Sequence, residues 1–96
     1  MLNERIRELR KSFNISQVDL AKELGVTKQC VSNWENDNIL PSIDTLIKIS
    51  QFFNVSCDYL LGLETEIVLD VKGLDDATIA HLNLLIKDLK QQKRLS

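Results

Sequence analysis

Between Gln17 and Trp34 the chain reads QVDLAKELGVTKQCVSNW, two short helical patterns separated by a turn of four residues or fewer. Ser16 is suited to cap the first pattern, and Leu20, Ala21 and Leu24 recur on one face at helical spacing. Gly25 supplies a residue that accepts positive φ where the chain must turn sharply. Val26 is expected as a buried plug behind the turn, and Thr27 as the cap of a second helix with Val31 and Trp34 turned inward. Ala21 is small because two helices crossing this closely leave no room for a longer side chain. Two helices held at such short range dictate the rest of the domain, whose remaining helices must cover their inner faces.

The stretch SQVDLAKELGVTKQCVSNWEND, with RELRK before it and LIKISQFFNVSCDYLLG after it, resembles the Cro and phage-repressor (XRE-type) helix-turn-helix DNA-binding domains. The resemblance covers about residues 2–63. It implies an all-α fold, a five-helix repressor-like domain, to which this chain adds a C-terminal amphipathic helix. The expected organisation is a DNA-binding domain over residues 1–63, a linker or short strand over 64–75, and a last helix over 76–96.

The local patterns agree with that order. A first helix is expected from Leu2 or Asn3 to Phe13, with Ile6, Leu9 and Phe13 inward and Arg5, Arg7, Glu8 and Lys11 on the other faces. Asn14 suits a left-handed helix end, and Ile15 anchors the connection. Asn36, Asp37 and Asn38 form a polar loop that Pro41 keeps non-helical. Ser42 is expected to cap a fourth helix, with Asp44 in its first turn and Leu46, Ile49, Phe52 and Phe53 facing the core. Ser56 caps a short fifth helix that Gly62 stops. The stretch TEIVLDVKGL is β-prone, but a single strand without a partner is marginal, so it reads as an extended linker or as a strand pairing with a symmetry mate. Asp75 or Asp76 caps the last helix, running to about Lys93, and Ile79, Leu82, Leu85, Ile86 and Leu89 form its apolar stripe. Either that stripe meets a second copy, giving a homodimer, or the helix folds back to complete the core of its own domain.

Composition narrows the function. The single histidine, the absence of a glycine-rich phosphate loop and the lack of paired carboxylates in a recognisable motif leave no catalytic arrangement, so no enzyme and no cofactor are expected. Cys30 and Cys57 lie far apart and far from His81, which excludes a metal site by spacing, and His81 reads as a surface residue. Cys30 is expected to be a small, partly buried side chain rather than a redox switch. No apolar run spans a bilayer and no signal peptide opens the chain, so a cytoplasmic protein is expected. The net charge of −2 is uneven: residues 1–36 carry six basic and five acidic side chains, 37–75 two and seven, 76–96 four and two. Acidity lies away from the motif, which leaves DNA as a partner but disfavours a nucleoid-type protein that binds without sequence preference.

In a helix-turn-helix the second helix lies in the major groove. With Val31 and Trp34 inward, Lys28, Gln29, Ser32 and Asn33 are the outward candidates for base contact: Gln29 to adenine, Lys28 to guanine, Asn33 one turn along the same face. The family resemblance implies that Gln17 and Asn36 touch the DNA backbone, with Thr27 as cap and phosphate contact, and that Arg10 and Glu35 form a partly buried ion pair. It also implies a transcriptional regulator, of the repressor kind, on double-stranded DNA. A different reading is an antitoxin-type module, or one bound by an antirepressor through the last helix, so a toxin or antirepressor is the alternative protein partner.

Overall fold

The computed structural model describes the backbone of residues 2–95 and the side chains of residues 2–92. Six helices follow one another: α1 Leu2–Ser12, α2 Gln17–Leu24, α3 Lys28–Glu35, α4 Ile43–Phe53, α5 Cys57–Leu60 and α6 Asp76–Leu95. No residue among those described lies in a β-strand.

Hydroxyl side chains start four of these helices. Ser16, Thr27, Ser42 and Ser56 accept hydrogen bonds from the backbone N–H of Asp19, Cys30, Thr45 and Tyr59, each satisfying one donor that the first helical turn leaves unpaired. At α2 the cap is reciprocal, because the Asp19 carboxylate accepts from the Ser16 N–H at 3.3 Å. The helix ends are equally local. Asn14 and Asn54 adopt φ of 57° and 55°, and Gly25 closes α2 at 70°. A Cβ on Gly25 would meet nothing within 4 Å, so the requirement there is conformational rather than steric.

The inward faces of α1 to α5 meet in one cluster built from Ile6, Leu9, Leu20, Ala21, Leu24, Val31, Trp34, Ile49, Phe53, Val55 and Leu60. Full burial of a side chain such as Leu20 or Ile49 stabilises by ~1.5–3 kcal/mol. Two expectations are adjusted, the depth of Val26 and the end of α1. Val26 packs against this cluster but is only partly buried, whereas Leu46 and Phe52 face the cluster as expected, from its partly buried margin. α1 stops at Ser12, and Phe13 is 47% exposed. Its ring still packs edge-on against Phe53, with centroids 4.9 Å apart.

One charged side chain lies inside this framework. Glu35, the last residue of α3, is 1% exposed. Arg10 Nε donates to its Oε2 at 2.7 Å and Arg10 Nη2 to its Oε1 at 3.0 Å. Gln17 Nε2 donates to the same Oε1 at 3.1 Å. Arg7, off the inward stripe and 41% exposed in its side chain, turns back towards the same residue: its Nη2 donates to the Glu35 carbonyl at 2.7 Å. Arg10 also donates through Nη1 to the Ile15 carbonyl at 2.9 Å, fixing the α1–α2 connection. Burial pushes the Glu35 carboxyl up, but the Arg10 and Gln17 hydrogen bonds and the charges of Arg10 and Arg7 outweigh it, so the group stays below the ordinary carboxylate range.

Beyond α5 the chain leaves the core. Residues 67–71 run without regular structure, and Asp75 opens α6 by accepting from the Thr78 N–H at 2.8 Å. Leu82, Leu85, Ile86 and Leu89 are between 38% and 55% exposed, and no residue of α6 with a described side chain is buried. The helix does not complete the core of its own domain.

Removing the Glu35 carboxylate leaves Arg10 enclosed without its partner. Glu35→Ala should therefore cost ~3–5 kcal/mol in chemical denaturation, whereas a loss below ~1 kcal/mol would mean that the pair behaves as a surface one. Since the folded carboxyl titrates below its unfolded value of about 4.3, its contribution should be complete above that pH and be lost as the pH falls through the lower, folded value.

Candidate nucleic-acid interface

The outer face of α3 is polar and largely open. Lys28 and Gln29 are exposed, while Ser32 and Asn33 are half-buried at the edges of the same face. Gln29 Nε2 donates to Asn33 Oδ1 at 3.0 Å, linking two amides one turn apart. Each amide retains hydrogen-bonding capacity: Gln29 keeps its carbonyl oxygen and one N–H, and Asn33 keeps its NH2 group. A side-chain amide with one donor and one acceptor free matches the N6/N7 edge of adenine, and the Lys28 ammonium matches the acceptors of guanine.

Asn36 closes α3 and donates through Nδ2 to Ser32 Oγ at 3.3 Å, so it is attached to the same face. Thr27 stands at the other end as the N-cap. Its hydroxyl donates to Cys30 Sγ at 3.3 Å, which directs its proton away from solvent and leaves its cap role satisfied. Hydrogen bonds from the Thr27 side chain and backbone hold the Cys30 thiol below its ordinary value. To donate to a phosphate, Thr27 must turn its hydroxyl from Cys30.

The structure brings Lys28, Gln29, Ser32, Asn33, Thr27 and Asn36 together on one helix, while Gln17 comes from α2. Gln17 is half-buried because its amide is anchored on Glu35. One N–H of that amide remains for an anion, beside the Gln17 and Val18 backbone N–H groups that the first turn of α2 leaves without intrahelical acceptors. Sequence reasoning missed this anchoring of Gln17 and the turn of Arg7 towards Glu35. Arg7 lies three residues before Arg10 and hence on the same side of α1, which was the available signal. For Gln17 no local pattern announces a bond to a residue 18 positions away.

Two helices packed across a short Gly25 turn, the second offering a polar outer face, define a helix-turn-helix. The helix-turn-helix family model matches residues 6–60, and this chain belongs to that family, one of DNA-binding transcriptional regulators rather than enzymes. The HTH-type transcriptional regulator ImmR of Bacillus subtilis (strain 168) is 34% identical over 94 residues, covering 98% of this chain and 72% of the relative. Among solved structures, the P22 c2 repressor in complex with a synthetic operator superposes with a TM-score of 0.61 at 37% identity, over 62% of this chain and 91% of that one. The full-length Repressor protein C2 of Salmonella phage P22 is longer, and the match spans 28% of it. The complex of the SinR and SinI proteins, SinR being from Bacillus subtilis, contains a chain with a TM-score of 0.62 at 28% identity, over 95% of this chain and 99% of that one. Among the described residues no helix is long and apolar enough to cross a membrane.

The two glutamines should separate in a binding assay. Gln29→Ala is expected to relax preference at one base position by ~1–3 kcal/mol of discrimination, while Gln17→Ala weakens all duplexes about equally. Competition titrations against single-position operator variants measure both, and uniform weakening by Gln29→Ala would reassign it to phosphate.

Proposed function

We propose that this chain is a sequence-specific regulator of transcription, a repressor that occupies a promoter and excludes polymerase, and that it binds a palindromic operator as a homodimer in the cytoplasm. The observation that carries the reading is the linked Gln29–Asn33 face, held outward by a domain whose three N-terminal helices converge on Glu35. In this reading Lys28, Gln29, Ser32 and Asn33 contact bases, and Gln17, Thr27 and Asn36 contact the backbone. Residues 1–63 form the DNA-binding domain, 64–75 connect it, and 76–96 dimerise.

Dimerisation rests on two supports. One small domain with few cations has limited phosphate affinity, and two domains about one helical turn (~34 Å) apart combine two half-sites. The α6 stripe of Ile79, Leu82, Leu85, Ile86 and Leu89 is also broader than an isolated helix leaves in water, and its own domain does not cover it. That stripe equally suits a different protein as partner, and the likeness to a chain of the SinR/SinI complex over nearly the whole length favours keeping this second reading.

Selection of bound sequences from random duplex DNA at two salt concentrations tests the function: an inverted repeat is expected, and recovery of no motif would sink it. Truncation after Glu64 tests the dimer. The shortened chain should be a folded monomer with far weaker operator binding, and a truncated protein that still sediments as a dimer would overturn the role given to α6.

A further inference from the structure

Ile67, Leu69 and Val71 recur at every second residue, the period of an extended chain with one apolar face. Together with the α6 stripe they line a single apolar groove of about 460 Å³. Each of the three is more than a third exposed. Among the described residues, no backbone N–H or C=O from 65 to 70 has a backbone partner. Residues 67–71 belong to no helix or turn, between a bend at 65–66 and a turn at 72–73, and a stretch whose backbone groups are unpaired and whose odd positions are apolar is a template for strand pairing once it extends.

We propose that this segment pairs with the same segment of a second copy, as an antiparallel two-stranded ribbon centred on Leu69 and covered on its apolar face by the two α6 helices. The inference rests on the homodimer reading and adds which residues register it. In a two-fold antiparallel pair, residues equally far before and after the centre face each other across the ribbon, and a slip that mixes odd with even positions would set apolar side chains against polar ones. With Leu69 at the centre, Leu69 meets the partner's Leu69 and Ile67 meets the partner's Val71, while on the opposite face Val68 meets the partner's Asp70. Glu66 then meets the partner's Lys72, and the symmetry repeats that pair, so two opposite charges close each end of the ribbon. Moving the centre to Val68 sets Glu66 against the partner's Asp70, and moving it to Asp70 sets two aspartates face to face. Like charges directly opposite are destabilising, which selects the Leu69 register.

Charge along α6 favours a second copy of this chain as the occupant. Its start carries Asp75 and Asp76, whereas the later turns carry Lys87 and Lys90 beside a single acid, Asp88. Antiparallel helices related by the same two-fold axis place the acidic start of one against the basic end of the other. A ribbon of two strands is marginal alone, and the two helices supply the apolar cover it needs.

Charge exchange in the full-length chain tests the register, because Glu66 and Lys72 lie outside the DNA-binding domain. Glu66→Lys and Lys72→Glu should each raise the dimer dissociation constant about fivefold in sedimentation equilibrium, and the double variant should return it to within about twofold of the parent. In a chain with Cys30→Ser and Cys57→Ser, Leu69→Cys should cross-link between copies on oxidation. Val68→Cys should not, since its symmetry mate sits diagonally, beyond about 7 Å. A dimer indifferent to all three charge variants, or cross-linking at 68 as readily as at 69, would overturn the ribbon while leaving a dimer held by α6. A parent chain that is monomeric at micromolar concentration would overturn the dimer reading itself.

Discussion

The carboxylate of Glu35 is the point on which the first three helices depend. An ionised carboxylate taken out of water without partners is costly enough to be expelled or neutralised. Here it is enclosed with a bidentate guanidinium from α1 and an amide from α2, so its charge is met from two helices at once. The hydrophobic cluster beneath it is non-directional and would tolerate small rotations of one helix on another. Hydrogen bonds of 2.7–3.1 Å to two oxygens tolerate far less. Apolar burial supplies the stability, and the Glu35 network supplies the orientation.

Orientation matters because sequence reading is a matter of position. Gln29 and Asn33 lie on the opposite side of α3 from the packed Val31 and Trp34, and α3 is only eight residues long. A short helix has little stability of its own, so its angle in a groove is whatever the surrounding contacts impose. With Glu35 at its last turn and the Thr27 cap at its first, α3 is restrained at both ends. In the proposed reading, phosphate contacts from α2 place an already fixed reading surface on the duplex, which follows the division between positioning and specificity.

Much of this could be seen in the chain before its structure, and the part that could be seen has a common cause. Ser16, Thr27, Ser42 and Ser56 act on backbone groups three residues away, and Gly25 acts on its own φ, so each is legible within a few residues. The outward set on α3 follows from helical period alone once Val31 and Trp34 are inside. What escaped depends on distance in sequence. Arg7 has the composition of a surface residue and reaches the Glu35 carbonyl across 28 positions, and Gln17 has two claims on its amide that only the folded chain reveals. Phe13 was assigned to the inner stripe correctly in direction but not in depth, because an aromatic ring at a helix end can pack edge-on and remain half in water. For α6, periodicity showed that something must cover the stripe; a pattern in one chain does not carry the identity of its cover.

The side-chain bond between Gln29 and Asn33 joins two residues of a single helix and is separate from the Glu35 network. Gln17, by contrast, is tied into the Glu35 network. The two kinds of residue proposed to face DNA therefore differ in how freely they can be exchanged. In the proposed reading, changing residues 29 and 33 together alters what the helix reads without touching the Glu35 network, so new operator preferences are reachable by substitutions that leave that network intact. Residue 17 has no such freedom, since a replacement must also satisfy a buried carboxylate. If residues 29 and 33 read bases and residue 17 holds the backbone, as proposed, a lineage built on this scaffold can diversify the sequence it recognises while the way it sits on the duplex stays fixed.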